Sequence, residues 1–280
     1  MIAFRKYEGL GNDLVFFEGS TDSVRPGVGN DPAWIASVCD RHLGVGADGV
    51  MFVEHRPDGE DRAVIHYFNA DGSPAEMCGN GLRCAVLFLH HLGHVDAGES
   101  FSVEMVGSGR MHCTYHDASR IEVEMGSPER GRGAEGSPAR MRVDVAGRDV
   151  EIIPMSVGNP HAVILEDMPR ARMESIGPVL ERHRLFPDRV NVEFAAVRAP
   201  GKIDLVVWER GCGFTRACGS GACAAATAAV WEGLCDADEP IEVRLPGGTL
   251  QVRLDTEQNV LWLTGPARLV FSGELAPGEG

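Results

Sequence analysis

Residues 65–81 read IHYFNADGSPAEMCGNG, and residues 205–221 read LVVWERGCGFTRACGSG. Each segment is an apolar strand that ends at an aromatic residue and then a polar residue. Nine residues after the polar residue, a cysteine (Cys78 or Cys218) opens a Cys-Gly-x-Gly turn. Packing alone does not explain a cysteine repeated at the start of a repeated helix. We therefore interpret the two cysteines as reactive thiols, one from each half of the molecule, directed at a common site.

The repetition extends beyond the two cysteines. A Gly-Asn pair precedes an apolar strand at Leu14–Phe17 and again at Ala162–Leu165, and a second strand follows at residues 48–52 and 191–194. Because the order is the same in both halves, an internal duplication is the economical interpretation. We predict a mixed α/β (α+β) chain of two pseudo-symmetric domains, each a mostly antiparallel sheet wrapped around a central helix.

Hydrophobic periodicity supports this class, with strands outnumbering helices. Alternating apolar residues predict strands at residues 101–106, 110–115, 121–125, 241–245, 250–254 and 260–263. Helices are predicted at residues 31–41, 82–92, 171–184 and 222–231. Gly93 and Gly233 follow the two central helices and are expected to end them. Residues 126–139, rich in glycine, proline, serine and charge, predict a surface crossing between the halves.

Composition excludes several partners. The chain has 26 basic and 41 acidic residues, a net charge of −15, which argues against nucleic acid or an anionic membrane as its partner. No apolar stretch reaches the roughly 18 residues of a membrane helix, and residues 1–10 lack a signal-peptide apolar region. We expect a cytoplasmic enzyme. Its oligomeric state is open, with a homodimer among the arrangements allowed.

The cysteine and lysine content bears on cofactors. Eight cysteines in a chain of this size, with ample core residues, indicate reduced thiols, and the absence of any Cys-x-x-Cys pair argues against zinc. Lys6 and Lys202 are the only lysines, and neither lies in a setting suited to a pyridoxal phosphate Schiff base. We expect no cofactor and no metal. The remaining six cysteines are expected to fill the core: Cys39, Cys84, Cys113, Cys212, Cys223 and Cys235.

A Cys-Gly-x-Gly turn at a helix start offers two chemical properties. Its exposed backbone N–H groups and the helix dipole suit an anion such as a carboxylate, and glycine lets the ligand come close. The same field is expected to lower the pKa of a thiol at that position. Cys78 and Cys218 are therefore candidate reactive thiols, each beside N–H donors for a substrate carboxylate.

Two thiols facing one carbon from opposite sides suit the inversion of an amino-acid α-carbon. A thiolate on one face removes the α-proton while a thiol on the other face delivers one. One cysteine must be ionised and the other protonated, so the two would titrate as a coupled pair. Donors at the helix starts would stabilise the charge that develops on the α-carboxylate.

At these residues the chain resembles the diaminopimelate epimerase family. The resemblance runs from Leu10 to about Ala225 and rests on five motifs in the family's order. They are GLGNDLV with RHLGVGADGV, FNADGSPAEMCGNGLRC, GNPHAV, NVEF and WERGCGFTRACGSGACA. The resemblance implies cofactor-independent interconversion of LL- and meso-diaminopimelate, for lysine and peptidoglycan precursor synthesis, with the ligand in an interdomain cleft. It also implies domains at residues 1–118 and 119–265, with residues 266–280 returning to the first.

The resemblance also assigns roles residue by residue. Cys78 and Cys218 would be the catalytic acid/base pair, with His161 close to the cysteines. Gly79, Asn80, Gly219 and Ser220 would bind near the reacting carboxylate. The rest of the substrate, diaminopimelate, would be held by Asn12, Asn69, Asn159, Asn191, Glu209 and Arg210.

Alternatives remain open at this stage. A related two-cysteine racemase for proline or histidine would use the same chemistry, although proline racemases tend to have histidine where this chain has Asn80. A disulfide between Cys78 and Cys218 would be an inactivated state rather than a function. Glu209 and Arg210 have a second interpretation as a surface ion pair, Asn12 and Asn159 as turn residues, and His161 as a packing histidine.

Overall fold

The computed structural model of the chain describes residues 1–27, 31–75, 77–131, 140–145, 147–237 and 239–276. It divides into two compact units. Unit 1 consists of Met1–Val123 and Gly265–Gly280, and unit 2 of Glu124–Thr264.

Unit 1 is built on one sheet. Its strands are β1 (Ile2–Gly9), β2 (Asn12–Glu18), β3 (Gly49–His55), β4 (Ala63–Asn69), β5 (Glu99–Met105), β6 (Gly109–Asp117), β7 (Arg120–Glu124) and β18 (Arg268–Leu275). From β1 to β7 each strand pairs with the next, and the pairs β2–β3 and β4–β5 are parallel while the others are antiparallel. Strand β18 adds antiparallel to β1.

The helices of unit 1 are α1 (Thr21–Val24), α2 (Pro32–Cys39) and α3 (Gly79–His91). Helix α3 packs against β1, β2, β3 and β6. All its residues from Gly79 to Leu89 are buried, as expected of a helix apolar on every side. Helix α2 covers a second core cluster that includes Phe17, Val50 and Phe52.

Unit 2 repeats this plan. Its strands are β8 (Glu129–Arg130), β9 (Met141–Asp144), β10 (Asp149–Ser156), β11 (Pro160–Ile164), β12 (Asn191–Ala199), β13 (Lys202–Glu209), β14 (Gly213–Phe214), β15 (Ile241–Leu245), β16 (Gly248–Asp255) and β17 (Val260–Gly265). Its helices are α4 (Arg170–Glu181) and α5 (Gly219–Trp231). Helix α5 packs against β10, β11, β12, β13, β15 and β16.

The strand pairings confirm the predicted duplication. Taking β10, β11, β12, β13, β15, β16 and β17 in turn, the pairs β11–β12 and β13–β15 are parallel and the others antiparallel. This is the sequence of pairings found from β1 to β7 in unit 1. Helices α2 and α4 occupy equivalent crossovers, and so do α3 and α5. The fold is therefore mixed α/β and mostly sheet, as predicted.

The two central helices begin and end alike. Cys78 is the N-cap of α3 with φ −132° and ψ 109°, and Cys218 is the N-cap of α5 with φ −133° and ψ 114°. Each helix ends at a glycine of positive φ, 77° at Gly93 and 68° at Gly233. The predicted glycine stops are confirmed, because only glycine adopts this left-handed conformation without steric cost.

Some predicted bounds were wrong. The central helices start three residues before the predicted positions, since burial inside the sheet overrides the low helix propensity of glycine. Helix α4 ends at Glu181, before the predicted residue 184. In the predicted surface crossing, residues 129–130 form the short strand β8, which pairs with β10. Residues 132–139 of that crossing lie outside the described residues.

Candidate active site in each unit

In unit 2, Cys218 lies where strand β13 and helix α5 come together. It is 8% exposed, and its Sγ accepts a hydrogen bond from the Gly221 N–H at 3.3 Å. Glu209, the last residue of β13, is hydrogen-bonded to the thiol and also accepts a hydrogen bond from the Thr215 hydroxyl. The predicted neighbours Glu209 and Cys218 are thus brought together by the strand-turn-helix connection.

The expectation of a lowered thiol pKa is wrong for Cys218. Burial raises the pKa of Cys218 well above its ordinary value, and negative charge on Glu209 raises it further. The hydrogen bonds from Ser220 and from the Gly221 N–H act in the opposite direction but are outweighed. The pKa of Cys218 is raised rather than lowered because desolvation disfavours the thiolate more than the helix start favours it.

A chain of polar side chains leads away from Cys218. The Cys218 Sγ lies 3.6 Å from the Ser220 Oγ, which lies 3.4 Å from the Asn159 Nδ2. Asn159 Oδ1 is 2.7 Å from Nε2 of His161, and Nδ1 of His161 is 2.7 Å from Oε1 of Glu193. His161 thus joins the environment of Cys218, through Asn159 and Ser220.

The remaining predicted residues of unit 2 lie along the same edge. Asn191 is 4% exposed, donates to the Pro160 carbonyl at 3.1 Å and accepts from the Arg210 N–H at 2.9 Å. Its side chain therefore ties β12 to the start of β11 and to the turn after β13. The Arg210 side chain is exposed and donates to the Asp188 carbonyl at 3.2 Å. Gly219, buried, is the first residue of α5.

In unit 1, Cys78 holds the equivalent position with different neighbours. Its thiol donates to the Asn12 Oδ1 at 3.6 Å, and its Sγ accepts from the Gly81 N–H at 3.4 Å. Tyr67, near the end of β4, is hydrogen-bonded to the thiol, and burial followed by charge on Cys78 raises the pKa of the Tyr67 phenol. Cys78 is half-buried.

A charged network supports Asn12. The Asn12 Nδ2 donates a hydrogen bond to the Asp48 Oδ2 at 3.0 Å. Asp48 and Asp13, the residue after Asn12, both form salt bridges with the Arg41 guanidinium. Although burial opposes it, hydrogen bonding to Arg41 and Lys6 lowers the pKa of Asp13 to about 2. Asn12 is therefore held in place by charged groups behind it, which goes beyond the alternative of a simple turn residue.

Asn69, Gly79 and Asn80 complete the predicted set in unit 1. Asn69 is exposed and donates to the Ser73 hydroxyl at 3.0 Å within a tight turn. The Asn80 Oδ1 and the Gly79 carbonyl accept from the guanidinium of Arg83, at 2.9 and 3.3 Å. The Asn80 side chain is therefore engaged with Arg83 inside the unit.

The last glycine of each turn is closely packed. A Cβ on Gly81 would lie 2.3 Å from the Met51 Cε. A Cβ on Gly221 would lie 3.1 Å from the Glu193 Oε1 and 3.2 Å from the Cys218 Sγ. Glycine at this position thus lets each buried helix start against its sheet.

Sequence reasoning missed several residues around the two thiols. Tyr67, Asp48, Arg83 and Glu193 all contact predicted residues. Asp48, Arg83 and Glu193 lie inside the motifs quoted for the family resemblance, which is the signal that could have found them, whereas Tyr67 lies one residue before the motif that begins at Phe68. One core assignment was wrong. Cys212 is exposed, since it lies in the turn after β13, whereas the other five cysteines assigned to the core are buried.

Several wider properties can be stated for the described residues. All eight cysteines belong to them, and none forms a disulfide bond. No cluster of three or more His, Cys, Asp or Glu side chains in that part of the chain is arranged to hold a metal ion. Among the described helices, none combines the length and the apolar character needed to cross a membrane.

The raised pKa of Cys218 leads to a testable prediction about its alkylation by iodoacetamide at pH 8. A thiol with a raised pKa has little thiolate at this pH, so Cys218 should react more slowly than the exposed Cys212, the internal reference. Glu209→Gln removes a neighbouring negative charge, lowers the pKa of Cys218 and should accelerate its alkylation by about tenfold. Peptide mass spectrometry measures both rates. An unchanged rate at Cys218 in the variant would refute a role for the Glu209 charge.

The fold defines a class of protein. It is shared with a hydroxyproline epimerase from Agrobacterium vitis, with a TM-score of 0.65, 13% identity, and coverage of 97% of this chain and 91% of that one. A PhzF-family phenazine biosynthesis protein from Bacillus anthracis matches with a TM-score of 0.69, 15% identity and 99% coverage of both chains. The chain thus has the duplicated fold found among epimerases and related proteins.

Sequence comparison narrows this class to one family. The sequence model described as diaminopimelate epimerase matches residues 4–131 and 154–270. The diaminopimelate epimerase of Prochlorococcus marinus (strain MIT 9313) is 38% identical, over 99% of this chain and 93% of the relative. That of Synechococcus sp. (strain JA-3-3Ab) is 39% identical, over 98% of both chains. The chain belongs to the diaminopimelate epimerase family.

Proposed function

We propose that this chain interconverts LL- and meso-diaminopimelate by a two-base mechanism in which Cys78 and Cys218 act on the two faces of one α-carbon. The observation that carries the proposal is the pair of buried helices, each capped by a cysteine with the same backbone angles, at equivalent places of the duplicated units. Membership of the diaminopimelate epimerase family supports the substrate.

The helix starts supply the binding site for the reacting carboxylate. The first N–H groups of an α-helix have no partner within the helix, and they carry the positive end of its dipole. We assign this role to the backbone N–H groups of Gly79 and Asn80 in α3 and of Gly219 and Ser220 in α5. They would stabilise the negative charge that spreads onto the carboxylate when the α-proton leaves.

The environments of the two thiols suggest which of them carries the proton in the resting enzyme. Burial and the neighbouring Glu209 carboxylate raise the pKa of Cys218, so it starts as the proton donor. Cys78 then acts as the base, with the Gly81 N–H as a donor to its sulfur. After one turnover the protonation states are exchanged, and the reverse reaction restores them.

Recognition of the distal amino-acid end is assigned to polar side chains near each thiol. They are Asn12, Asn69, Asn159, Asn191, Glu209 and Arg210. Supporting this role, Arg210 is exposed, and its guanidinium can pair with a carboxylate in two parallel hydrogen bonds. Membership of the family supports a role in lysine and peptidoglycan precursor synthesis. We assign the reaction to the cytoplasm, and a homodimer is the assembly to test first.

The decisive experiment is α-proton exchange in D₂O with LL- and then meso-diaminopimelate, using reduced protein and no added cofactor. We expect deuterium at the α-carbon together with inversion of configuration, detected by NMR and chiral chromatography. Exchange with proline or histidine but with neither diaminopimelate isomer would replace the proposal by a racemase of another amino acid. Folded protein that exchanges none of these substrates would refute it.

A further inference from the structure

Glu193 is a buried carboxyl group that the mechanism above does not use. It lies on β12, and its side chain and that of His161 are both 0% exposed. Its Oε1 is 2.7 Å from the His161 Nδ1, while no described residue forms a hydrogen bond with its Oε2. Because burying a charged group is costly, the protonation state of Glu193 affects the thiol of its own unit.

The geometry at His161 restricts where the protons lie. Nδ1 faces a carboxyl oxygen of Glu193, and Nε2 faces the amide oxygen of Asn159, also at 2.7 Å. An amide oxygen only accepts hydrogen bonds, so Nε2 must carry a proton. Nδ1 can then either carry a second proton, giving an imidazolium beside a carboxylate, or accept one from a protonated Glu193.

The surroundings favour the neutral arrangement. An ionised Glu193 would leave a wholly buried carboxylate oxygen without a partner, which is costly. Among the described residues, the titratable groups found to act on the pair are Glu209 and Cys218, and neither is positive. The Gly221 N–H at the nearby helix start already donates its hydrogen bond to the Cys218 Sγ and not to Glu193. Burial also raises the pKa of Glu193, and it outweighs His161 and the backbone hydrogen bonds from Glu193 and Ala162, which act in the opposite direction.

We propose that Glu193 is a positioning residue: as a neutral acid it donates a hydrogen bond to Nδ1 and fixes His161 as the neutral Nε2–H tautomer. The direction of each later hydrogen bond follows from that tautomer. His161 Nε2–H donates to Asn159 Oδ1, Asn159 Nδ2 donates to Ser220 Oγ, and the Ser220 hydroxyl is left to donate to Cys218 Sγ.

The proposed series of hydrogen bonds from Glu193 to Ser220 has two consequences for Cys218. A hydroxyl hydrogen that points at the sulfur stabilises the thiolate, which must form whenever Cys218 acts as the base. A neutral Glu193 also adds no negative charge to that of Glu209 next to the thiolate. Glu193 thus assists both directions of the reaction without contacting the substrate.

The first test reads the protons of the pair directly and does not depend on activity. Nitrogen-15 NMR distinguishes protonated from unprotonated ring nitrogens, and comparison with His161→Gln identifies the His161 signals. We expect a protonated Nε2 and an unprotonated Nδ1, and the same pattern in Glu193→Gln, because a glutamine amide donates the same hydrogen bond. Protonation of Nδ1, alone or together with Nε2, would overturn the proposal.

Alkylation of Cys218 supplies a second readout that is independent of turnover. Because Glu193 is neutral in this proposal, Glu193→Gln changes no charge and should leave the alkylation rate of Cys218 at pH 8 unchanged. The Glu209→Gln variant, which does remove a charge, provides the matched comparison and should accelerate the reaction. Equal acceleration in both variants would mean that Glu193 is ionised and would refute the proposal.

Steady-state kinetics of the epimerase reaction tests the positioning role of Glu193. This test rests on the proposed function. Glu193→Gln should keep kcat within about threefold, whereas Glu193→Leu, which cannot donate, should lower kcat by roughly 10²-fold with little change in KM. Phe194→Leu perturbs the core on the opposite face of the same strand and controls for lost stability.

Two kinetic outcomes would contradict the proposal. A Gln variant as impaired as the Leu variant would mean that the charge of Glu193 is needed, and a Leu variant no slower than Phe194→Leu would mean that its role is packing. If the wild-type protein does not epimerise diaminopimelate, the proposed function fails, while the NMR and alkylation results still decide the state of Glu193.

Discussion

Cys78→Ala and Cys218→Ala should each reduce epimerisation of diaminopimelate by at least about 10²- to 10⁴-fold, the contribution of a well-placed general acid or base. Each thiol removes or delivers the α-proton on one face of the carbon, and alanine can do neither. The measurement is steady-state turnover from both the LL and meso isomers, with circular dichroism to verify folding. Loss in both directions is expected, because each direction requires both groups.

The double variant and a control sharpen this prediction. Residues that act as a unit are non-additive, so Cys78→Ala/Cys218→Ala should be about as slow as either single variant. Cys212→Ala removes an exposed thiol outside the proposed pair and should retain wild-type turnover. Near wild-type activity in either single variant would eliminate the two-thiol mechanism.

Arg83→Ala should destabilise the chain by about 2–5 kcal/mol, the range for truncating a large, fully buried side chain and leaving buried acceptors without donors. The Arg83 side chain is completely buried and donates to the Asn80 side chain, to the Gly79 carbonyl and, at 3.2 Å, to the Pro266 carbonyl. The variant would leave buried acceptors without donors and open a cavity. Urea denaturation monitored by circular dichroism measures the change.

Arg110→Ala is the matched control for this prediction. Arg110 lies in the same unit and pairs with Glu60 and Asp61, but its side chain is 41% exposed. Solvent-exposed ion pairs contribute little, so the denaturation midpoint should hardly move. If Arg83→Ala behaved like this control, the guanidinium would not be what holds the start of α3 to the chain near Pro266.

Much of the fold could be predicted because its signals are local. Alternating apolar residues located the strands of both units, and Gly93 and Gly233 marked the ends of the central helices. The starts of those helices were placed three residues late. Glycine is a poor helix former in isolation, and only the surrounding sheet supplies the burial that extends each helix back to its cysteine cap.

The candidate site, like the fold, has features that the sequence predicted and features that it did not. The duplicated cysteines and the family motifs pointed to most of the residues around each thiol, but not to Tyr67 or Glu193, because a strand residue's facing partner is invisible to periodicity. The pKa of Cys218 was predicted in the wrong direction. The helix start was readable from the sequence, whereas the burial of the thiol and the approach of Glu209 were not.

The sequence by itself determined the duplication, the mixed α/β class, the two cysteine-capped helix starts and the family, because these depend on residue order and spacing along the chain. Tertiary structure alone decided that the pKa of Cys218 is raised, that Arg83 holds the start of α3, and that Glu193 meets His161. These properties depend on desolvation and on contacts between residues far apart in the chain, and both arise only when strands and helices pack together.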